Sequence, residues 1–132
     1  MRDLVLDATV VIPWFDPKRP AGTEAAPKLR TQFEAGVITV AVPSLLRLEV
    51  LNVAGRQWSW NESALATLAN DLEHIGFEFS DPALPLVAAW VARGLTAYDA
   101  TYIALAESRG LTLLTTDPEM LRIGHGIAER PH

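Results

Sequence analysis

Four short runs, "LVL" (4–6), "VITVAV" (37–42), "GFEF" (76–79) and "LTLLTTD" (111–117), are separated by stretches with helical punctuation. This alternation constrains the fold more than any other feature. Strands that alternate with helices pair in parallel, because each helix must carry the chain back across the sheet before the next strand begins. Such a sheet buries both faces under helices. The expected class is therefore α/β, a three-layer α/β/α sandwich around a mostly parallel sheet. Ligands of these sheets bind at the carboxyl ends of the strands. Asp7 and Asp117 each follow a strand run, so the sequence puts two carboxylates on that rim.

The punctuation supplies the rest of the element plan. Val10 to Phe15 can begin a short helix, and "DPKRPAG" (16–22) is a loop. Thr23 caps a helix to about Ala35, with Pro27 near its first turn and Gly36 as its stop. Pro43 and Ser44 open a helix through about Gln57. Asn61 caps the next, which ends near His74. Asp81 and Pro82 form an N-cap and first-turn pair for a helix ending at Gly94. Thr96 begins a helix that ends at Gly110, and the tail holds a short helix and a last strand near Ile127.

One domain spanning 1–132 fits the length, and an apolar content of 49% is enough for one core. There is no cysteine, so disulfides and thiolate metal sites are excluded. "MRDLVLDATVVIPWF" lacks the basic lead and cleavage site of a signal peptide, and no apolar window is long enough to span a bilayer. A soluble, cytoplasmic protein with no membrane partner is expected.

Chemistry is concentrated in the acids. Asp7 has two readings of about equal weight, a functional carboxylate or an N-cap for the following helix. Glu49 lies in "SLLRLEVLNVAGR". At about 100° per residue, Glu49, Asn52 and Arg56 form a narrow stripe flanked by Leu48 and Leu51 on one side and by Leu46, Val50 and Val53 on the other. Arg47 projects opposite. A thin polar stripe between apolar flanks differs from a broad solvated face. Asp99 sits in "TAYD", an imperfect capping box with Thr96 as cap. It also aligns with Tyr102, Ile103 and Ala106, so its side chain should point inward, and a buried carboxylate needs a positive partner. Asp117 precedes Pro118 and has a good N-cap reading of its own.

Other catalytic inventories are poor. His74, His125 and His132 lack metal-ligand spacing, and there is no G-x-S-x-G elbow or phosphate-binding glycine loop. If the fold gathers Asp7, Glu49, Asp99 and Asp117, they form an all-oxygen anionic pocket of the kind that favours Mg²⁺ or Mn²⁺. The formal charge of −5 argues against a nucleic-acid partner until these four are set aside, which leaves −1. Nine arginines remain for phosphates, among them Arg56 and Arg93.

The segments "LVLDATVVIPWF", "PSLLRLEVLNVAGR" and "GLTAYDATYIALAESRGLTLLTTD", in that order, resemble the PIN-domain ribonucleases, and the compact length resembles the VapC-type toxins. The resemblance implies a PIN-like sandwich. It also implies Mg²⁺- or Mn²⁺-dependent endonucleolytic cleavage of RNA, a metal-activated water attacking the phosphodiester. It carries Asp7, Glu49, Asp99 and Asp117 over as the acidic set. The three aspartates correspond mainly to metal ligands, and Glu49 to a ligand or to the group that orients the attacking water. Thr9 and Thr115 match hydroxyl residues that order the site, and Asn52 matches a polar residue after the glutamate. Pro13 departs from the charged or polar residue expected there. A cognate VapB-type antitoxin and a homodimer are implied as well. Trp14, Phe15, Arg56, Trp58 and Trp60 are candidates for the antitoxin or RNA surface, with core packing the blander reading for Trp14 and Phe15.

Three rivals stand beside this. One is a catalytically silent PIN-like module that binds RNA or protein. Another is a PIN nuclease working in RNA processing. An aspartyl-phosphate enzyme ranks last, because "DAT" lacks the second aspartate two positions on.

Overall fold

The computed structural model describes residues 2–18 and 25–132. In chain order its elements are β1 (Arg2–Leu6), α1 (Ala8–Val11), α2 (Ala25–Glu34), β2 (Ile38–Val42), α3 (Leu45–Arg56), α4 (Glu62–His74), β3 (Glu78–Phe79), α5 (Leu84–Ala92), α6 (Ala97–Arg109), β4 (Thr112–Leu114), α7 (Pro118–Ile123) and β5 (Ala128–Glu129). A 3₁₀ turn over Ile12–Trp14 continues α1. The proposed cap Thr23 and the end of the 16–22 loop lie outside the described residues.

The five strands pair in the order β3-β2-β1-β4-β5, and every pairing is parallel. From β1 the chain steps outward to β2 and β3, then returns to the far side of β1 as β4 and β5. Right-handed crossovers in opposite directions place their helices on opposite faces, which gives the three layers. The reversal puts a topological switch point between β1 and β4, where the crevice at the strand ends opens.

Burial follows from composition. Leu4, Val5 and Leu6 of β1 are all buried, as the centre of a two-sided sheet requires. Helix α6 packs against β1 and β4 and is buried almost all round, from Tyr102 to Ala106. Its alanines at 100, 104 and 106 leave little side-chain bulk, so the helix can approach the sheet closely. Gly110 ends it at φ +65°, a left-handed conformation that favours glycine. Trp14 is buried with Phe33 and Phe77 in an aromatic cluster, with ring centroids 5.8 Å apart for the Trp14–Phe77 pair.

Several local expectations need correction. Asp81 does not cap α5, whose cap position is Ala83 with no side-chain bond. The Asp81 carboxylate instead accepts from the backbone N–H and hydroxyl of Ser44 at 2.9 and 2.7 Å, tying the loop after β3 to the start of α3. Ser44 spends its hydroxyl there and makes no cap bond. The last run is a strand only over Thr112–Leu114, and Thr115 to Asp117 leave the sheet. Asn61 and Thr96 cap α4 and α6 as expected.

Candidate functional site

The backbone after β1 turns sharply into α1, and Asp7 occupies the turn. The N-cap reading of this residue holds. Its carboxylate accepts from the Thr9 backbone N–H at 3.1 Å as the N-cap of α1, and it is buried at the switch point. Two hydroxyls complete its shell. Thr9 donates to Oδ1 and Thr115 donates to Oδ2, each at 2.5 Å. Thr115 is wholly buried just beyond β4, and its hydroxyl also accepts from the Asp117 N–H at 3.0 Å. Thr9 accepts from the Thr116 N–H at 3.1 Å. The two threonines thus lock the end of β1 to the end of β4.

Asp117 caps α7, accepting from the N–H groups of Glu119 and Met120. Asp99 lies in the first turn of α6, half-buried, with its N–H bonded to the Thr96 hydroxyl at 3.1 Å. Glu49 is half-buried on α3, and one of its oxygens accepts from the Tyr102 hydroxyl at 2.5 Å.

The electrostatics tie these segments into one neighbourhood. Burial pushes the Asp7 carboxyl up from 3.8 to about 6, opposed by the Thr115 and Thr9 hydroxyls and the Val10 N–H, with the Asp99 charge pushing further upward. Glu49 is raised by burial, lowered by the Tyr102 hydroxyl and raised again by Asp99 and Asp7. Asp99 is raised by burial and by Asp117, with Thr96 opposing. Tyr102 is raised strongly by burial and by Glu49, with Asp7 and Asp99 adding to it, so its hydroxyl stays protonated. Asp7, Glu49 and Asp99 therefore each feel at least one other acid.

No side chain among the described residues pairs with Asp99 as the expected positive partner. Among the described residues, no ion pair reaches any of the four acids; the arginines that pair do so with Glu129, Glu34, Glu78 and Glu119. Arg93 lies over the Trp90 ring at 4.4 Å. The donor chemistry, carboxylate and hydroxyl oxygen without nitrogen or sulfur, fits a hard dication. Among the described residues, no group of three acidic or imidazole side chains already stands close enough to hold one. The acids share a field but not a closed coordination shell.

The remaining candidates separate. Asn52 and Arg56 are exposed on α3 and make no bond to the acids. With Trp60, Leu48, Leu51, Gly55 and Leu65 they line an open concavity of about 380 Å³. Leu48, expected to flank Glu49 as apolar cover, is 64% exposed, so that side of the stripe is open to solvent. Trp58 and Trp60 are half-buried, with ring centroids 5.3 Å apart. Trp14 is a core residue and does not belong to a partner surface. Phe15 is half-buried beneath Arg30. Sequence reasoning placed Tyr102 on an apolar stripe and missed its bond to Glu49. The available signal was that a phenol on a buried face needs a hydrogen-bond partner.

A parallel α/β domain with acids gathered at its switch point is the class of protein that fold and site define. The PIN domain family model matches residues 4–126, and the chain belongs to that family. No curated protein sequence matches it. Its structure is similar to that of PAE2754 from Pyrobaculum aerophilum, at 26% identity and a TM-score of 0.67, covering 98% of this chain and 89% of the other. It is also similar to FitAcB from Neisseria gonorrhoeae, at 16% identity and TM-score 0.68, covering 97% of each chain. A third similar structure is VapBC2 from Rickettsia felis bound to a DNA fragment from the promoter, at 18% identity and TM-score 0.65, covering 98% and 99%. No described helix is long and apolar enough to cross a membrane.

Proposed function

We propose that this chain is a Mg²⁺- or Mn²⁺-dependent endoribonuclease and the toxin of a VapBC-type pair, held in check by a VapB-type antitoxin. One observation carries the nuclease reading. Asp7, Glu49 and Asp99, from three separate segments, are raised by burial and by one another or by Asp117, and no cationic side chain among the described residues pairs with them. Acids arranged at a loss in the free protein are a functional signature. Asp7, Asp99 and Asp117 would hold the cation, and Glu49 would join them or orient water. The bound cation would acidify water and offset charge on the phosphate. Thr9 and Thr115 keep Asp7 oriented, and Arg56 with Trp58 and Trp60 offers charge and stacking surface to a single strand.

The toxin role rests on membership of the PIN family and on similarity to VapBC2 and FitAcB. One observation favours the silent binding module: the acids do not already form a three-ligand group. The test is cleavage of single-stranded RNA with Mn²⁺, lost in Asp7→Asn and Asp99→Asn while circular dichroism is unchanged. Mn²⁺ binding without cleavage across a broad RNA panel would establish the module instead. Growth arrest on expression, relieved by a co-expressed upstream neighbour, separates toxin from RNA-processing nuclease.

A further inference from the structure

The Tyr102 hydroxyl is the side-chain bond joining α3 to α6 at this site, and the two helices have no broad packing against each other. Glu49 therefore hangs on a helix whose position is set mainly by α4 and α1, while Asp99 sits on a helix set by α5 and the sheet. Tyr102 lies one turn after Asp99 on the inward face of α6, is 1% exposed, and cannot swing away without opening the core. It engages Oε1 of Glu49, and no described group donates a hydrogen bond to Oε2.

We propose that Tyr102 is a positioning residue: by holding Oε1 of Glu49 it fixes that carboxylate relative to Asp99 and leaves Oε2 as the oxygen presented to a dication or to the attacking water. Its activity arm rests on the nuclease reading; its metal-affinity arm does not. Removing an outer partner of a metal ligand typically weakens metal binding or activity by about 10–100-fold. The phenol has no other partner among the described residues, so Tyr102→Phe removes one oxygen and keeps the ring packing.

The experiment measures Mn²⁺ affinity by calorimetry without RNA, then steady-state cleavage, for wild type, Y102F, E49Q and the double variant. Y102F should bind Mn²⁺ about 10-fold or more weakly and lose kcat by a similar factor, with KM for RNA within about twofold. In the E49Q background the same change should alter Mn²⁺ affinity by less than about twofold, because the two groups act as one unit. Y102F within about twofold of wild type in both Mn²⁺ affinity and kcat would overturn the proposal. So would an equal loss in the E49Q background, which would mark Tyr102 as merely structural. If wild type binds Mn²⁺ but cuts no RNA, the nuclease reading fails and the affinity cycle alone decides Tyr102. If wild type binds no Mn²⁺, both fail.

Discussion

Replacing Asp7 with asparagine should make the metal-free protein more stable while destroying its function. The Asp7 carboxyl is raised from 3.8 to about 6 in the folded chain, chiefly by burial. A raised acid favours folding while protonated. That advantage is fully present below about pH 4 and is lost as pH climbs through about 6. The shift corresponds to about 3 kcal/mol between the two protonation states, which the native state forgoes at pH 7.5. Asparagine keeps an oxygen for the Thr9 N–H and hydroxyl. It also places an amide N–H₂ against Thr115, whose hydroxyl must turn from donor to acceptor while it still serves the Asp117 N–H. Allowing about 1 kcal/mol for that imperfect exchange, Asp7→Asn should gain about 1–3 kcal/mol at pH 7.5 in EDTA, roughly 3–10 °C in Tm. Urea unfolding of both proteins from pH 4 to 7.5 checks this. Their difference should be small or reversed at pH 4 and grow toward pH 6.5. A variant less stable than wild type at pH 7.5, or a difference that ignores pH, would refute the reasoning, since either outcome means that burial of the ionised carboxylate is not the dominant cost.

Four further outcomes are expected. Thr115→Val, at a wholly buried position, should lose about 1–2 kcal/mol by urea unfolding, because it strips one donor from Asp7 and one acceptor from the Asp117 N–H. Gly124→Ala should cost about 1–3 kcal/mol, since a Cβ there would lie 2.7 Å from the Met120 carbonyl oxygen and press on Ile103; an unchanged Tm would show that the α7–β5 turn gives way easily. Mn²⁺ at about 100 times its Kd should raise wild-type stability by about 2.7 kcal/mol, and Asp7→Asn should show little of this rise in the same thermal scan. Trp60→Ala should weaken binding of single-stranded RNA by about 1–3 kcal/mol in fluorescence titration while leaving Mn²⁺ affinity intact.

The fold was readable because its signals are local and periodic. Runs of buried β-branched residues, the Asn61 and Thr96 caps and the Gly110 stop act within a few residues of themselves, and the structure follows them. The failures share a cause. Asp81 has the sequence look of a cap, but a longer-range partner, Ser44, outcompetes the adjacent helix for its oxygens. Leu48 looks like cover for Glu49 on a helical wheel, which shows direction but not whether anything lies opposite. Trp14 could be core or contact surface until Phe33 and Phe77 are seen to enclose it. Tyr102 is the same lesson inverted. The wheel showed it facing inward, and only the position of α3 shows what it faces.

The acids were the most legible part of the site, and the reason lies in competition between roles. Asp7 and Asp117 each cap a helix, and Asp99 sits in the first turn of α6 behind the Thr96 cap. A cap, however, is served equally well by serine or asparagine, neither of which carries a charge. What capping does not require is a carboxylate at 4% exposure with no counter-ion among the described residues, pressed upward by a second carboxylate from another helix. The local role explains why the backbone tolerates aspartate at these turns. The shared field among distant segments costs stability and is needed by no cap, and on it the proposed cation-binding reading rests against a coincidence of helix ends.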